Sequence, residues 1–151
     1  MPELNSQNFI LLFFDYWPDG ILHIGVDVLG LPHTIMVTTA NVTDRNGAVD
    51  MVEYYCDVTD RLSMLKKILA DGGYTGENFA NSIKDLSGAE VEIVKRSELH
   101  TFAVLPKRWI VERSFAWLDK CRRLWKNCER KLQNSFQMFS LAFIRLLLNR
   151  Y

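Results

Sequence analysis

At 151 residues, with 48% apolar and 24% charged residues, the chain is long enough to bury a real core and has the composition of an ordinary soluble globular protein. Its zero net charge hides a split: residues 1–94 hold 5 Lys and Arg against 14 Asp and Glu, whereas residues 95–151 hold 13 against 4. Neither a membrane span nor a secretion signal is expected, because the apolar runs Phe9–Phe14 and Leu141–Leu148 are too short and the first follows Glu3 rather than a basic stretch.

Phe9–Tyr16 is rich in Phe, Ile and Leu and reads as a strand. Pro18-Asp19-Gly20 is a turn signal. Ile21–Leu29 reads as a second strand, Gly30-Leu31-Pro32 turns the chain, and the β-branched run His33–Ala40 reads as a third. Short turns between these three imply an antiparallel meander. Thr43 or Asp44 could cap a helix through Ala48–Tyr55, with Asp60–Lys67 continuing as helix. Lys67–Ala70 is a short buried strand ending at Asp71. Thr75 is expected to cap a helix to about Leu86, stopped by Ser87-Gly88. Glu90–Lys95 alternates as a fifth strand and residues 96–106 form a loop. Two helices close the chain, from about Lys107 to Lys126 and from about Ser135 to Asn149.

The order β-β-β-α-β-α-β-α-α predicts an α/β fold: a ribonuclease H-like mixed sheet, three antiparallel strands followed by αβ units, flanked by helices. Cys56, Cys121 and Cys128 form no CxxC or Cys/His ligand spacing and read as reduced core thiols, which fits a cytoplasmic protein. Cys121 and Cys128, seven apart, are expected to share a buried helix face.

Two carboxylates stand out. Asp71 lies in the glycine turn Asp71-Gly72-Gly73-Tyr74-Thr75-Gly76, directly after a strand, where α/β proteins usually place ligands. The plain alternative is an ordinary strand-to-helix turn in which Asp71 caps the backbone. Glu112 lies in the penultimate helix. On a helical wheel Ile110, Val111, Ser114, Phe115, Trp117, Leu118, Cys121, Leu124 and Trp125 fill one broad face. Arg108, Glu112, Ala116, Asp119 and Arg123 line the other side, flanked by Arg113 and Lys120. Glu112 is therefore not a core residue. It either pairs with Arg108 across one turn on a solvated face or serves chemistry within a cationic stripe. The basic C-terminal third implies an anionic partner such as DNA, unless the two halves neutralise each other within the fold. Trp109 lies off the main apolar stripe and is the tryptophan expected nearest a site. There is no GxSxG, Cys–His pairing, P-loop or zinc spacing to support another chemistry.

The segments HIGVDVLGLPH (His23–His33), VTTANVTDRNGA (Val37–Ala48), LADGGYTG (Leu69–Gly76) and VLPKRWIVERSFAWLDKCRRL (Val104–Leu124) resemble the DDE transposases of bacterial insertion sequences, in the IS5-like branch of the IS4-type group. The resemblance covers roughly residues 21–151. It implies a ribonuclease H-like catalytic domain in which two Asp and one Glu bind two Mg²⁺ (or Mn²⁺) ions for DNA strand cleavage and transfer. Asp71 matches the second Asp and Glu112 the Glu. Arg108 matches the basic residue four positions before that Glu, and Lys120 lies near the family's later basic position; with Arg113 and Arg123 they form the expected DNA-binding set. The first Asp has no direct match. Asn5-Ser6-Gln7 carries Asn in its place, Asp15 is the geometrically plausible substitute, and Asp27 falls one strand later and reads as structural. The chain therefore reads as a single catalytic domain over residues 1–151, with 1–20 divergent and the family's N-terminal DNA-binding region absent. Expected partners are DNA, as transposon ends and target, and a homo-oligomer, with no membrane. The alternative is a non-catalytic transposase remnant that binds DNA or pairs with intact transposase.

Overall fold

The computed structural model describes residues 9–17, 20–59, 65–94, 108–124, 129 and 131–149. Five strands form one sheet: β1 (Phe9–Trp17), β2 (Gly20–Val26), β3 (Pro32–Thr38), β4 (Lys67–Asp71) and β5 (Glu90–Val94), in the order β3-β2-β1-β4-β5. The first three pair antiparallel, β4 lies parallel to β1, and β5 parallel to β4. The helices are α1 (Asp44–Thr59), α2 (Glu77–Ser87), α3 (Arg108–Asp119) and α4 (Leu132–Leu148).

Alternation along the strands divides the core in two. Leu22, Ile24 and Val26 of β2 and Leu69 of β4 pack against Ile110, Leu118 and Phe139 of the α3 and α4 side. Ile68 and Ala70 of β4 turn the other way, onto Ala48, Met51, Val52, Phe79 and Ile83 of α1 and α2. The sheet is thus covered on both faces, as its near-continuous apolar strands require.

Several boundaries differ from the sequence reading, each for a local reason. β2 ends at Val26 because Asp27 leaves the ladder: its carboxylate accepts from the backbone N–H of Leu29 (2.8 Å) and Leu31 (2.9 Å). α1 begins at Asp44, as a Thr43 cap requires, and runs through Gly47 to Thr59, four residues past Tyr55. Thr43 Oγ1 accepts from Asn46 N–H at 3.3 Å, a side-chain cap on its first turn. The cap position of α2 is Gly76, not Thr75, at φ 134°. α3 stops at Asp119; the chain then turns tightly, with Cys121 N–H on Leu118 O and Leu124 N–H on Cys121 O, both 2.8 Å. Leu124 is buried by that turn and not by a continuing helix, so Cys121 lies beyond the helix end. α4 starts three residues before Ser135, at Leu132. The expected loop at 96–106, the helical continuation at 60–64 and Cys128 lie outside the described residues.

Candidate active site on the β4 edge

Asp71 is the last residue of β4 and is exposed. A short 3₁₀ turn (Gly72–Tyr74) follows, and Asp71 Oδ1 accepts the N–H of Gly72. A Cβ at Gly72 would meet nothing within 4 Å, so the turn presents open space beside the carboxylate.

The sheet register relates Asp71 to Asp15. Leu12 of β1 lies level with Ala70 of β4, and Asp15 lies level with Leu22 of β2. Asp15 therefore stands two positions further along β1 than the residue level with Asp71. Its register position shares the face that carries Leu22 and Leu69, the face on which Asp71 also falls. At about 3.3 Å per residue and 4.8 Å between strands, the two backbones come within about 8 Å.

Glu112 is exposed on α3. Its helix is seated by Ser114, whose fully buried hydroxyl lies 2.9 Å from Gly30 O and 3.0 Å from Ile110 O, and by Arg113, which donates to Leu29 O. Gly30 sits in the β2–β3 turn with φ 77°, and a Cβ there would press on Ile110, Arg113 and Ser114. That turn lies beyond Val26, which is level with Leu11 and Leu69, whereas Asp71 lies two residues past Leu69 in the opposite direction. The sheet thus brings Asp71 and Asp15 together, while the contacts that seat the Glu112 helix lie at the opposite end. Among the described residues no group of three His, Cys, Asp or Glu side chains is close enough to hold an ion.

The four cations of the expected DNA-binding set have different fates. Arg113 is half-buried, with its guanidinium 4.7 Å from the Trp109 ring centre and 4.9 Å from that of Trp117. It clamps the helix to the β2–β3 turn and is not presented to a partner. Arg123 pairs with Glu129 at 3.0 Å. Lys120 is exposed just past the end of α3, and Arg108 opens that helix, its side chain outside the described residues. The cation that the structure places at the Asp71 turn is one the sequence reading passed over, Arg45: its Nε lies 3.4 Å from Gly73 O.

Two buried titratable groups lie elsewhere in the sheet. Burial lowers the pKa of His23 to about 4, against a raising influence from Asp50. The imidazole is fully buried, with Nε2 2.9 Å from Thr38 Oγ1, and Nδ1 has no partner among the described residues. Burial pushes Asp27 up, but His33 at 3.3 Å and the two backbone N–H groups outweigh it, so its pKa falls below the usual carboxylate value. Both groups hold β2 and its turn. An apolar groove of about 280 Å³ between β3, α1 and α4 is lined by Ile35, Tyr54, Val58, Phe136 and Ile144 among others and holds none of the acidic residues considered above.

Three parallel strands (β1, β4 and β5), extended by the antiparallel β2 and β3 and covered by helices on both faces, have the layout of the ribonuclease H-like fold. The structure matches the catalytic core domain of BIV integrase (TM-score 0.58, 16% identity, 91% of this chain and 82% of that one). It also matches a chain of the simian T-cell lymphotropic virus intasome determined with PP2A regulatory subunit B56 gamma (TM-score 0.62, 14% identity, 95% and 49%). Residues 16–147 match the family described as "Transposase DDE domain", and the chain belongs to that family. It is 32% identical over 118 residues to a "Putative transposase for insertion sequence element IS402" from Burkholderia cepacia. That alignment takes in 76% of this chain, which spans 56% of the relative's length. Asp15 lies one residue before the family match begins. Among the described residues no helix is long and apolar enough to cross a membrane.

Proposed function

We propose that the chain is the catalytic core of a cytoplasmic insertion-sequence transposase of the IS5-like branch, a single domain over residues 1–151 acting on DNA in metal-dependent strand cleavage and transfer. The observation that carries this reading is Asp71, exposed in an open glycine turn at the C-terminal end of β4, within a match to the DDE family. Carboxylate oxygens are the donor type that hard Mg²⁺ takes together with substrate phosphate. Asp71 and Asp15, near the same end of the sheet, would hold a pair of ions with Glu112 as the third carboxylate, although no three such side chains converge among the described residues. Ions held there would supply Lewis-acid activation of a water or 3′-hydroxyl and charge stabilisation of the leaving oxygen.

The chain's own part is positioning. The Gly72 N–H fixes Asp71 Oδ1, leaving Oδ2 to ligate. Arg108 and Lys120 would hold flanking phosphates through sequence-independent contacts. A homo-oligomer on paired transposon ends, with target DNA, is the assembly this reading expects.

The remnant reading keeps two observations in its favour: Asp15 stands outside the family match, and α3 is seated at the far end of the sheet from Asp71. Calorimetric titration with Mn²⁺ separates the two. Binding lost in Asp71→Asn and in Asp15→Asn supports a complete acidic centre. Binding untouched by Asp15→Asn removes that residue and favours the remnant.

A further inference from the structure

We propose that Arg45 is a DNA phosphate-binding residue of the Asp71 edge, holding a phosphodiester over the Gly72–Gly76 turn. The proposal rests on the reading of the chain as a DNA-acting protein and adds to it a cation from the acidic part of the sequence.

The placement begins with topology. β3 leaves the sheet at Thr38, level with Ile21, which lies opposite Tyr16 near the C-terminal end of β1. This is the end of the sheet at which β4 delivers Asp71. α1 starts six residues after Thr38, so its first turn lies beside the Asp71 turn, and Arg45 spans the gap. Its Nε lies 3.4 Å from Gly73 O, and a Cβ built on Gly76 would lie 3.7 Å from its Nη1. The guanidinium therefore lies along the whole turn.

Three features suit this group to an incoming phosphate. First, among the described residues one of its five N–H donors is engaged, at Gly73, which leaves the rest of the fork for oxyanion contacts. Second, Arg45 and Asp71 share the turn without pairing with each other among the described residues, so the cation is not neutralised there. Third, the turn lacks bulk. Gly72, Gly73 and Gly76 carry no side chain, Gly72 faces open space, and Gly76 at φ 134° occupies backbone geometry that favours glycine.

The residue is also held in place. Thr43 caps the first turn of α1 through Asn46 N–H. Gly47, two residues on, lets that turn press against the buried His23 ring. Cations are scarce in residues 1–94, where there are 5; Lys67, another of them, is paired with Glu92 at 2.6 Å. An arginine placed on a capped turn and aimed at the glycine loop is therefore more than a solvated surface charge.

The test is fluorescence anisotropy of a short mixed-sequence DNA duplex across a salt series, for the wild type, Arg45→Ala and Arg45→Lys. Arg45→Ala should weaken binding several-fold at low salt and flatten the log–log salt dependence by about 0.9, the contribution of one neutralised phosphate. Arg45→Lys should restore the slope, since it restores the charge. Unchanged affinity and slope in Arg45→Ala would overturn the proposal and leave the transposase reading intact. A wild type that fails to bind duplex at any salt concentration would overturn both. Arg45 is exposed, so the urea midpoint of the alanine variant should match the wild type; a lowered midpoint would assign Arg45 to folding instead.

Discussion

Gly47→Ala should destabilise the protein, although helix propensity alone says the reverse. Gly47 lies inside α1, where glycine costs about 1 kcal/mol relative to alanine. A Cβ there would lie 3.0 Å from His23 Cδ2, with Nε2 and Cε1 closer still. The ring cannot retreat freely, because His23 is fully buried and its Nε2 is bonded to Thr38 Oγ1 at 2.9 Å. Relief needs a shift of roughly an ångström. If α1 lifts, Ala48 and Met51 lose packing against the sheet, and overpacking of this kind costs about 1–3 kcal/mol. If His23 moves instead, the Thr38 bond breaks, at about 1–3 kcal/mol for a buried polar group. At the middle of its range either cost exceeds the propensity gain, leaving a net loss of up to about 2 kcal/mol. With a urea m-value of about 1–3 kcal/mol/M the midpoint should fall by about 0.5 M at unchanged m. Because the shifted turn carries Arg45, DNA affinity should fall as well. A midpoint equal to or above the wild type would refute the close approach of α1 to β2.

Acid should weaken the fold through His23. Its folded pKa of about 4 lies below the 6.5 of a free imidazole, so the unfolded chain binds the extra proton first. The stabilisation is intact above pH 6.5 and is lost as pH falls toward 4, by roughly 2–3 kcal/mol. Asp27, with its lowered pKa, adds a second loss at lower pH. Urea midpoints across this range check the sign, and His23→Gln should flatten the dependence between pH 6.5 and 4. Glu112→Gln should leave duplex affinity equal or higher, since it removes a negative charge from an exposed helix face. Weaker binding, read by anisotropy, would show that Glu112 supports the interface instead of opposing the phosphates.

The strands were legible because β-branched and aromatic runs stood between glycine and proline turns, and each observed strand falls within a few residues of its expected place. Helix ends were less so. The apolar pattern through Leu118, Cys121 and Leu124 continues past Asp119, but the chain keeps those residues inward by tight turns and not by helix. A helix capped at Thr43 or Asp44 was legible, but not that Gly47 lies where its missing side chain lets that helix pack on the His23 ring. The place of Asp71 at the end of β4 was legible from the short apolar run before it. That Arg113 clamps the β2–β3 turn, and that Arg45 reaches Gly73, could not be read from spacing, because both depend on contacts between segments far apart in the chain. The one local signal for Arg45 was its place as a lone cation in a capped first turn within an acidic stretch.

The most direct test of the account is nicking of supercoiled plasmid DNA in the presence of Mn²⁺, with the wild type beside Asp71→Asn and Glu112→Gln. The account predicts metal-dependent nicking by the wild type that both substitutions abolish while the proteins stay folded. Nicking that survives Asp71→Asn would contradict it, because it would place the chemistry away from the β4 edge. Wild type that stays inactive while binding DNA would leave the family membership and the fold in place and reject the catalytic reading of this chain.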